Sequence, residues 1–254
     1  MEGLGRSTQK TKTKNFKELV IMMKTLDKRK KYIMVIDTET AGAITAPLVY
    51  DLGIAITDRK GNIYETHSLI ISDIYDVHWL MSTAYYKDKI ATHYTPGIES
   101  GKFKKVKFNE ALELMRELSH KYNIKQLSAY NIDFDIRALN NTAQTVLKYD
   151  LDFSHYDIVC IQKLAISQIC TQKGYARFCL EHGLTTAKGY ISTKAEDVYR
   201  YLLNCPTYIE EHTGLSDVLI EIQIMERAYR QNKKNYDTKN YQFLNKFHEI
   251  PVVE

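Results

Sequence analysis

Residues 33–40 read IMVIDTET, an apolar run that ends in two carboxylates one residue apart. The stretch from Ile33 to Ile36 has the length and composition of a buried strand, and a strand covered on both faces excludes charge. Alternate strand residues project to one face, so Asp37 and Glu39 point the same way, with Cβ atoms about 6–7 Å apart. Like charges held that close raise one another's pKa unless a cation compensates. A polar strand end running into a turn is one reading of the pair, and a metal-ion site is the other. Acids elsewhere in the chain decide between them.

Working outward, Leu48 to Thr57 reads as a second strand, DRKGN (58–62) as a hairpin turn and Ile63 to Ile71 as a third strand, which makes an antiparallel meander. A helix is expected from Asn109, its cap, to Tyr122, with Ala111, Leu112, Met115 and Leu118 on its apolar face. IKQLSAY (124–130) follows as a fourth strand, DFDIRALNNTAQTVL (133–147) as a helix and YDIVC (156–160) as a fifth strand. Beyond Ile161 the pattern is helical with breaks near Gly174, Gly183 and Gly189. A last helix runs from Gly214 to Tyr229 and buries Leu215, Val218, Leu219, Ile222 and Met225. This order predicts an α/β fold, a mixed five-stranded sheet with helices on both sides. Ligands on such sheets bind beyond the carboxyl ends of strands where strand order reverses, here the ends of strands one and four.

Three segments are expected: a basic arm with a short helix (1–30, with Phe16, Leu19, Val20 and Met23 at helical spacing), the main domain (31–230) and a polar tail (231–254). Residues 1–31 carry ten Lys/Arg against three Asp/Glu, a net +7, whereas the remainder is at −3. Such an arm suits a polyanion partner, a solvated terminus being the alternative. With 44% apolar and 26% charged residues the composition is that of a soluble globular protein. No apolar stretch has bilayer length and no signal-peptide pattern opens the chain, so no membrane partner is expected. The four cysteines form no C-x-x-C pair, which favours free thiols in a reducing cytoplasm.

Further acids lie where they are needed. Asp133 stands where the N-cap of the 133–147 helix belongs and Asp135 falls in its first turn, close to strand one because strands one and four are expected neighbours. Thr213 caps the final helix, with Asp217 early in it and His212 just before it.

Together DTET, NIDFD and HTGLSD match, in order, the D-x-E, N-x-x-F-D and H-x-x-x-x-D motifs of the DEDDh exonucleases, the group that includes the proofreading exonucleases of bacterial replicases. The resemblance covers about residues 31–230. It implies a ribonuclease H-like fold with strand order 3-2-1-4-5 and 3′→5′ hydrolysis of nucleic acid. It also implies that Asp37, Glu39, Asp135 and Asp217 hold two Mg²⁺ or Mn²⁺ ions, with His212 as general base. Two departures stand out: Gly214 replaces the usual Ala, which could loosen the loop carrying His212, and DTETAG replaces the commoner Thr-Gly continuation. The segment STKAEDVYRYLLNCPTY is similar to insertions in phage-encoded members, which would place the protein in bacterial or host cytoplasm.

Residues 73–107 interleave aromatics with lysines, a composition that fits a single-strand path, since bases stack and phosphates are neutralised. Trp79, Tyr85, Lys104 and Lys105 are the strand-binding candidates there, joined by Thr40 and Asn131 from the motifs. Tyr130 and Phe134 are assigned to the core. The small, apolar loop TAGAITAP after Glu39 favours a deoxyribose, so single-stranded DNA is the expected substrate and RNA the alternative. A non-catalytic scaffold of the same fold is the third reading. A polymerase or another replication protein is the partner class that the resemblance implies.

Overall fold

A computed structural model describes Asp27 and residues 30–231; the expected short helix at 16–23, nearly all of the basic arm and the tail beyond Gln231 lie outside the described residues. Six strands form one sheet: β1 (Ile33–Ala41), β2 (Leu48–Thr57), β3 (Ile63–Ile71), β4 (Lys104–Val106), β5 (Gln126–Ala129) and β6 (Asp157–Cys160), in the order β4-β3-β2-β1-β5-β6. The β1–β2–β3 meander is antiparallel, and β5 and β6 add in parallel on the other side of β1. The five expected strands thus stand in the expected order. The correction is β4, a sixth strand parallel to β3 at the edge. Its three residues are too few to show an alternation, and its two exposed lysines are what an unpaired edge carries to discourage further pairing.

The helices are α1 (Phe108–Tyr122), α2 (Ile132–Val146), α3 (Ile161–Ala165), α4 (Lys173–Glu181), α5 (Ala195–Leu203) and α6 (Gly214–Arg230), with short helical turns between β3 and β4. Alternation along β1 sorts them into two layers. Met34 and Ile36 face a core shared with α1 and α2, whereas Ile33 and Val35 face one shared with α3, α4 and α6. Asp37 and Glu39 continue the second row. Among the described residues no helix is long and apolar enough to cross a membrane. All four cysteines are free thiols.

Several helix ends differ from expectation. α1 begins at buried Phe108 and not after Asn109, its first amides being met by Asp73 Oδ2 (2.8 Å, to Phe108 N) and Glu110 Oε2 (2.7 Å, to Lys107 N). Burying an aromatic ring outweighs a polar cap. Asn131 and not Asp133 is the N-cap residue of α2; Asp133 is exposed and paired with Lys163 at 3.2 Å. Phe134 is only half-buried, beneath the Arg137 guanidinium, while Tyr130 is buried as expected. The break before α4 falls at Thr171 and Gln172, so Gly174 lies inside that helix. On α6 the buried set is Val218, Ile220, Ile222, Ile224 and Met225, with Leu215 and Leu219 only half-buried. A helix lying across a sheet and beside two neighbours buries a wide arc, so an apolar stripe read from spacing underestimates it.

The tightest contact in the fold is backbone on backbone. A Cβ added to Gly53 on β2 would stand 2.1 Å from Gly214 C, and one added to Gly214 would stand 2.5 Å from Gly53 N and 3.1 Å from the Asp37 carbonyl oxygen. Gly53→Ala is therefore expected to destabilise the protein by about 3 kcal/mol or more, the upper end for overpacking. Thr213→Ala, which removes only a cap, should cost about 1 kcal/mol. Chemical denaturation of both variants checks this, and equal losses would mean that the contact relaxes freely.

Candidate active site

The site forms where β1 leaves the sheet. Asp37 lies opposite Gly53 and Glu39 opposite Asp51, after which the register shifts between Glu39 and Thr40. Such a bulge turns the strand end and re-aims its side chains. Asp51 is fully buried and ties three elements together: its Oδ2 accepts from Tyr94 Oη (2.9 Å) and from the Gly214 amide (2.9 Å) at the start of α6. Gly214 thus docks α6 on β2 through a carboxylate, which corrects the expectation that glycine there loosens the loop. Thr213 caps the helix in a reciprocal pair with Ser216, and Ser216 Oγ donates to Asp217 Oδ1 at 2.9 Å.

This docking puts Asp217 beside β1. One carboxylate oxygen from each of Asp37, Glu39 and Asp217 falls within a cluster no more than 4.8 Å across. Asp135 reaches the same strand from the α2 layer. Pairing of β5 with β1 stops at Val35, and beyond it the Thr38 amide (3.1 Å) and hydroxyl (2.8 Å) both donate to Asp135 Oδ1. Asp135 is thereby fixed next to the cluster without being one of its three members.

Burial and mutual repulsion shape the electrostatics. Desolvation, followed by the charges of Glu221, Asp135, Asp217 and Glu39, drives the Asp37 carboxyl far above the usual carboxylate range. Glu39 is raised likewise, by desolvation and then by Asp217 and Asp51. Asp135 and Asp217 are each pushed to about 7, desolvation outweighing their hydrogen bonds. Sequence reading missed three further members. Asp51 is raised to about 6 by burial, Glu210 to about 8 by burial and the nearby Asp217, and Glu221, which accepts the Tyr130 amide at 3.0 Å, well above its ordinary range. Each left a signal: a lone acid inside LVYDLGIAIT, one inside the apolar run of α6 one turn after Asp217, and one two residues before His212.

His212 sits at the rim in a left-handed conformation (φ 49°). Its ring stacks on Tyr86 (centroids 4.6 Å apart, planes 13° apart), and its Nδ1 faces Glu210 at 3.5 Å and Asp217 at 3.9 Å. Desolvation and the Lys89 charge hold its pKa below the ordinary imidazole value. Lys89 lies 4.5 Å from the centre of the Tyr86 ring and donates to the Glu211 carbonyl at 2.6 Å.

The strand-binding candidates separate. Tyr85 (85% exposed) packs edge-on against Tyr86, and so extends the aromatic line that begins at His212. Trp79 (73% exposed) belongs to the segment whose Thr83 hydroxyl accepts the Gly42 amide from the loop after β1. Thr40 is half-buried just past the bulge, and Asn131 is exposed at the start of α2. Lys104 and Lys105 are not with this group. Glu39, Asp51, Ile70 and Lys105 form one row across β1 to β4, so Lys105 stands about 14 Å from Glu39 at ordinary strand spacing. Lys105 pairs there with Asp76 at 2.6 Å. Among the described residues, Lys89 is a cation close to the site. Tyr94 and Phe103 are buried, so only part of the aromatic segment faces outward.

Comparison with known proteins places this geometry in context. No protein-family model matches the chain, and no curated protein matches it. Among solved structures, an apo exonuclease I is similar over 80% of this chain and 42% of that one, at 17% identity and a TM-score of 0.52. Exonuclease I from Methylocaldum szegediense is similar over 85% and 43%, at 16% identity and 0.51. E. coli exonuclease I in complex with a 5cy-dT13 oligonucleotide is similar over 81% and 41%, at 16% identity and 0.50. The chain shares its fold with these exonuclease I structures. The chain spans about two-fifths of the length of these exonuclease I chains.

The donor set fits hard divalent cations. Asp37, Glu39 and Asp217 offer convergent carboxylate oxygens, and burial followed by the neighbouring acidic charges holds their pKa values up, which a bound cation would offset. A pH dependence follows. Asp135 and Asp217 titrate near 7 when folded and near 4 when unfolded, so the folded state binds more protons between those values. In EDTA their contribution to stability is fully present below about pH 4 and is lost as pH rises through about 7. Thermal unfolding should therefore show a falling Tm from pH 5 to pH 8 in EDTA, with Mg²⁺ or Mn²⁺ restoring it at pH 8 and doing little at pH 5. A Tm insensitive to both variables would contradict the cluster's electrostatics.

Proposed function

We propose that the chain is a 3′→5′ exonuclease that hydrolyses single-stranded DNA from its 3′ end. The observation that carries this reading is the meeting of Asp37, Glu39 and Asp217, with Asp135 fixed beside them and His212 at the rim, on a fold shared with exonuclease I. Asp37, Glu39 and Asp217, with Asp135, would hold two Mg²⁺ or Mn²⁺ ions, whose charge activates an attacking water and stabilises the leaving 3′ oxygen. His212 is the base. Its depressed pKa keeps the imidazole neutral at pH 7, and with Nδ1 turned toward Glu210 and Asp217 the atom left to accept the water's proton is Nε2. The Tyr86 stack holds the ring in place.

Tyr85 and Trp79 give two exposed faces for base stacking, and Lys89 gives a cation for the backbone phosphate. In the loop after β1, Ile44 is 84% exposed, a surface suited to packing on a deoxyribose rather than to hydrogen bonding with a 2′-hydroxyl. The oligonucleotide complex of E. coli exonuclease I supports a single-strand substrate. A related ExoI/SSB-Ct complex supports a replication-protein partner.

Labelled single-stranded DNA, duplex DNA and RNA of one sequence, each with Mg²⁺, Mn²⁺ or EDTA, test the reading. Single-stranded DNA should be shortened fastest from its 3′ end, and not at all in EDTA. Faster RNA cleavage would move the substrate class to RNA and leave the chemistry in place. Tight binding without cleavage under every condition would make the chain a scaffold. Asp37→Ala and Asp135→Asn should abolish hydrolysis, whereas Asp133→Ala, outside the cluster, should keep the wild-type rate. His212→Ala should lower the rate by about 10²–10⁴, and remove a rise in rate with pH that in the wild type is complete by neutrality.

A further inference from the structure

We propose that Glu210, His212 and Asp217 form a second metal site, selective for a transition ion such as Zn²⁺, that shares Asp217 with the carboxylate cluster and switches the enzyme off when filled. The inhibitory part rests on the nuclease reading above; the binding part does not.

The geometry points to ligation rather than hydrogen bonding. His212 Nδ1 lies 3.5 Å from Glu210 Oε2 and 3.9 Å from Asp217 Oδ2. Both separations exceed the range of an N–H···O bond, about 2.7–3.2 Å. They are close to the edge of a tetrahedral site, because donors about 2.0–2.1 Å from a central ion stand about 3.3–3.4 Å apart. One donor atom from each of the three residues falls within 4.8 Å of the other two. Glu210 is 8% exposed and directed into this space, on a segment fixed by the hydrogen bond that its backbone N–H donates to Glu196 Oε1 (3.0 Å) and by the one that Arg200 Nε donates to the Tyr208 carbonyl (2.7 Å). A buried carboxylate beside a second one is costly without a compensating cation.

The donor chemistry separates this site from its neighbour. Asp37, Glu39 and Asp217 present oxygen alone, which suits Mg²⁺. An imidazole with two carboxylates, open at a fourth position, suits Zn²⁺ and is poor for Mg²⁺.

Occupation would inhibit by two routes. A neutral imidazole ligated through Nδ1 carries its proton on Nε2, so Nε2 can no longer accept one from water. Asp217, drawn toward His212, is at the same time withdrawn from Asp37 and Glu39.

Isothermal titration of the full-length protein with ZnCl₂ in saturating Mg²⁺ tests the binding. One site is expected, retained in Asp37→Ala and weakened more than about tenfold in both Glu210→Gln and His212→Ala. Melting temperatures of the metal-free variants no lower than the wild type's exclude misfolding, and Co²⁺ in place of Zn²⁺ should give tetrahedral visible absorption that Zn²⁺ abolishes. No Zn²⁺ binding in Mg²⁺, or equal affinity in Glu210→Gln, overturns the site whatever the activity. A site that binds as described without slowing Mg²⁺-supported cleavage overturns the inhibitory role, and a wild-type protein with no cleavage to slow refutes the nuclease reading instead.

Discussion

The contact between Gly53 and Gly214 sets the position of everything chemical in this protein. Helices ordinarily rest on sheets through side chains, at a separation too large for residues of the helix backbone to meet the strand. Here two residues without Cβ atoms let the first turn of α6 lie directly on β2, one strand from Asp37. Asp51 then holds the turn by accepting the Gly214 amide, an interaction that a helix N-terminus favours. The carboxylate of Asp217, one turn into α6, comes within reach of β1 only because of this close approach.

The two helical layers contribute unequally. Asp217 arrives through packing and Asp135 through hydrogen bonds, both from Thr38, whose neighbours Asp37 and Glu39 face the opposite layer. The alternation of β1 therefore distributes one strand end between two layers: odd residues meet α6 and the even residue holds α2. Seven acids gather around this point, counting Asp51, Glu210 and Glu221. Burial raises the pKa of each of them, so protonation of this group favours the metal-free fold.

Much of this was legible in the sequence. β2 and β3 were bounded by their own periodicity and by the DRKGN turn, and the three motif segments converge because β1, β5 and α6 are fixed by strong apolar patterns. The parts that were not legible share a cause. β4 has no period because it has three residues, and its role as an edge depends on β3 having a free side. Lys104 and Lys105 stand on the edge strand, away from the carboxylates, and sequence distance says nothing about which sheet row a residue joins. Gly214 looked permissive because its restraint comes from Gly53, 161 positions earlier in the chain. Glu210 and Glu221 were visible as acids near the motifs, but their burial is decided by packing.

The segment that presents Tyr85 also positions the His212 ring. His212 stands two residues before the rigid start of α6, in a left-handed conformation uncommon for a non-glycine residue and held by its neighbours. The restraint comes from residues 86–102: Tyr86 stacks on the ring, Lys89 holds the Glu211 carbonyl, and His93 and Lys102 both pair with the Glu211 carboxylate at 2.9 Å. Each exposed pair contributes little alone, about 0–1 kcal/mol. Together they restrain the loop that carries the imidazole ahead of α6. A strand that stacked on Tyr85 would therefore press on the same aromatic line that orients His212. On the function proposed above, a strand held at Tyr85 and the placement of His212 are coupled through this line.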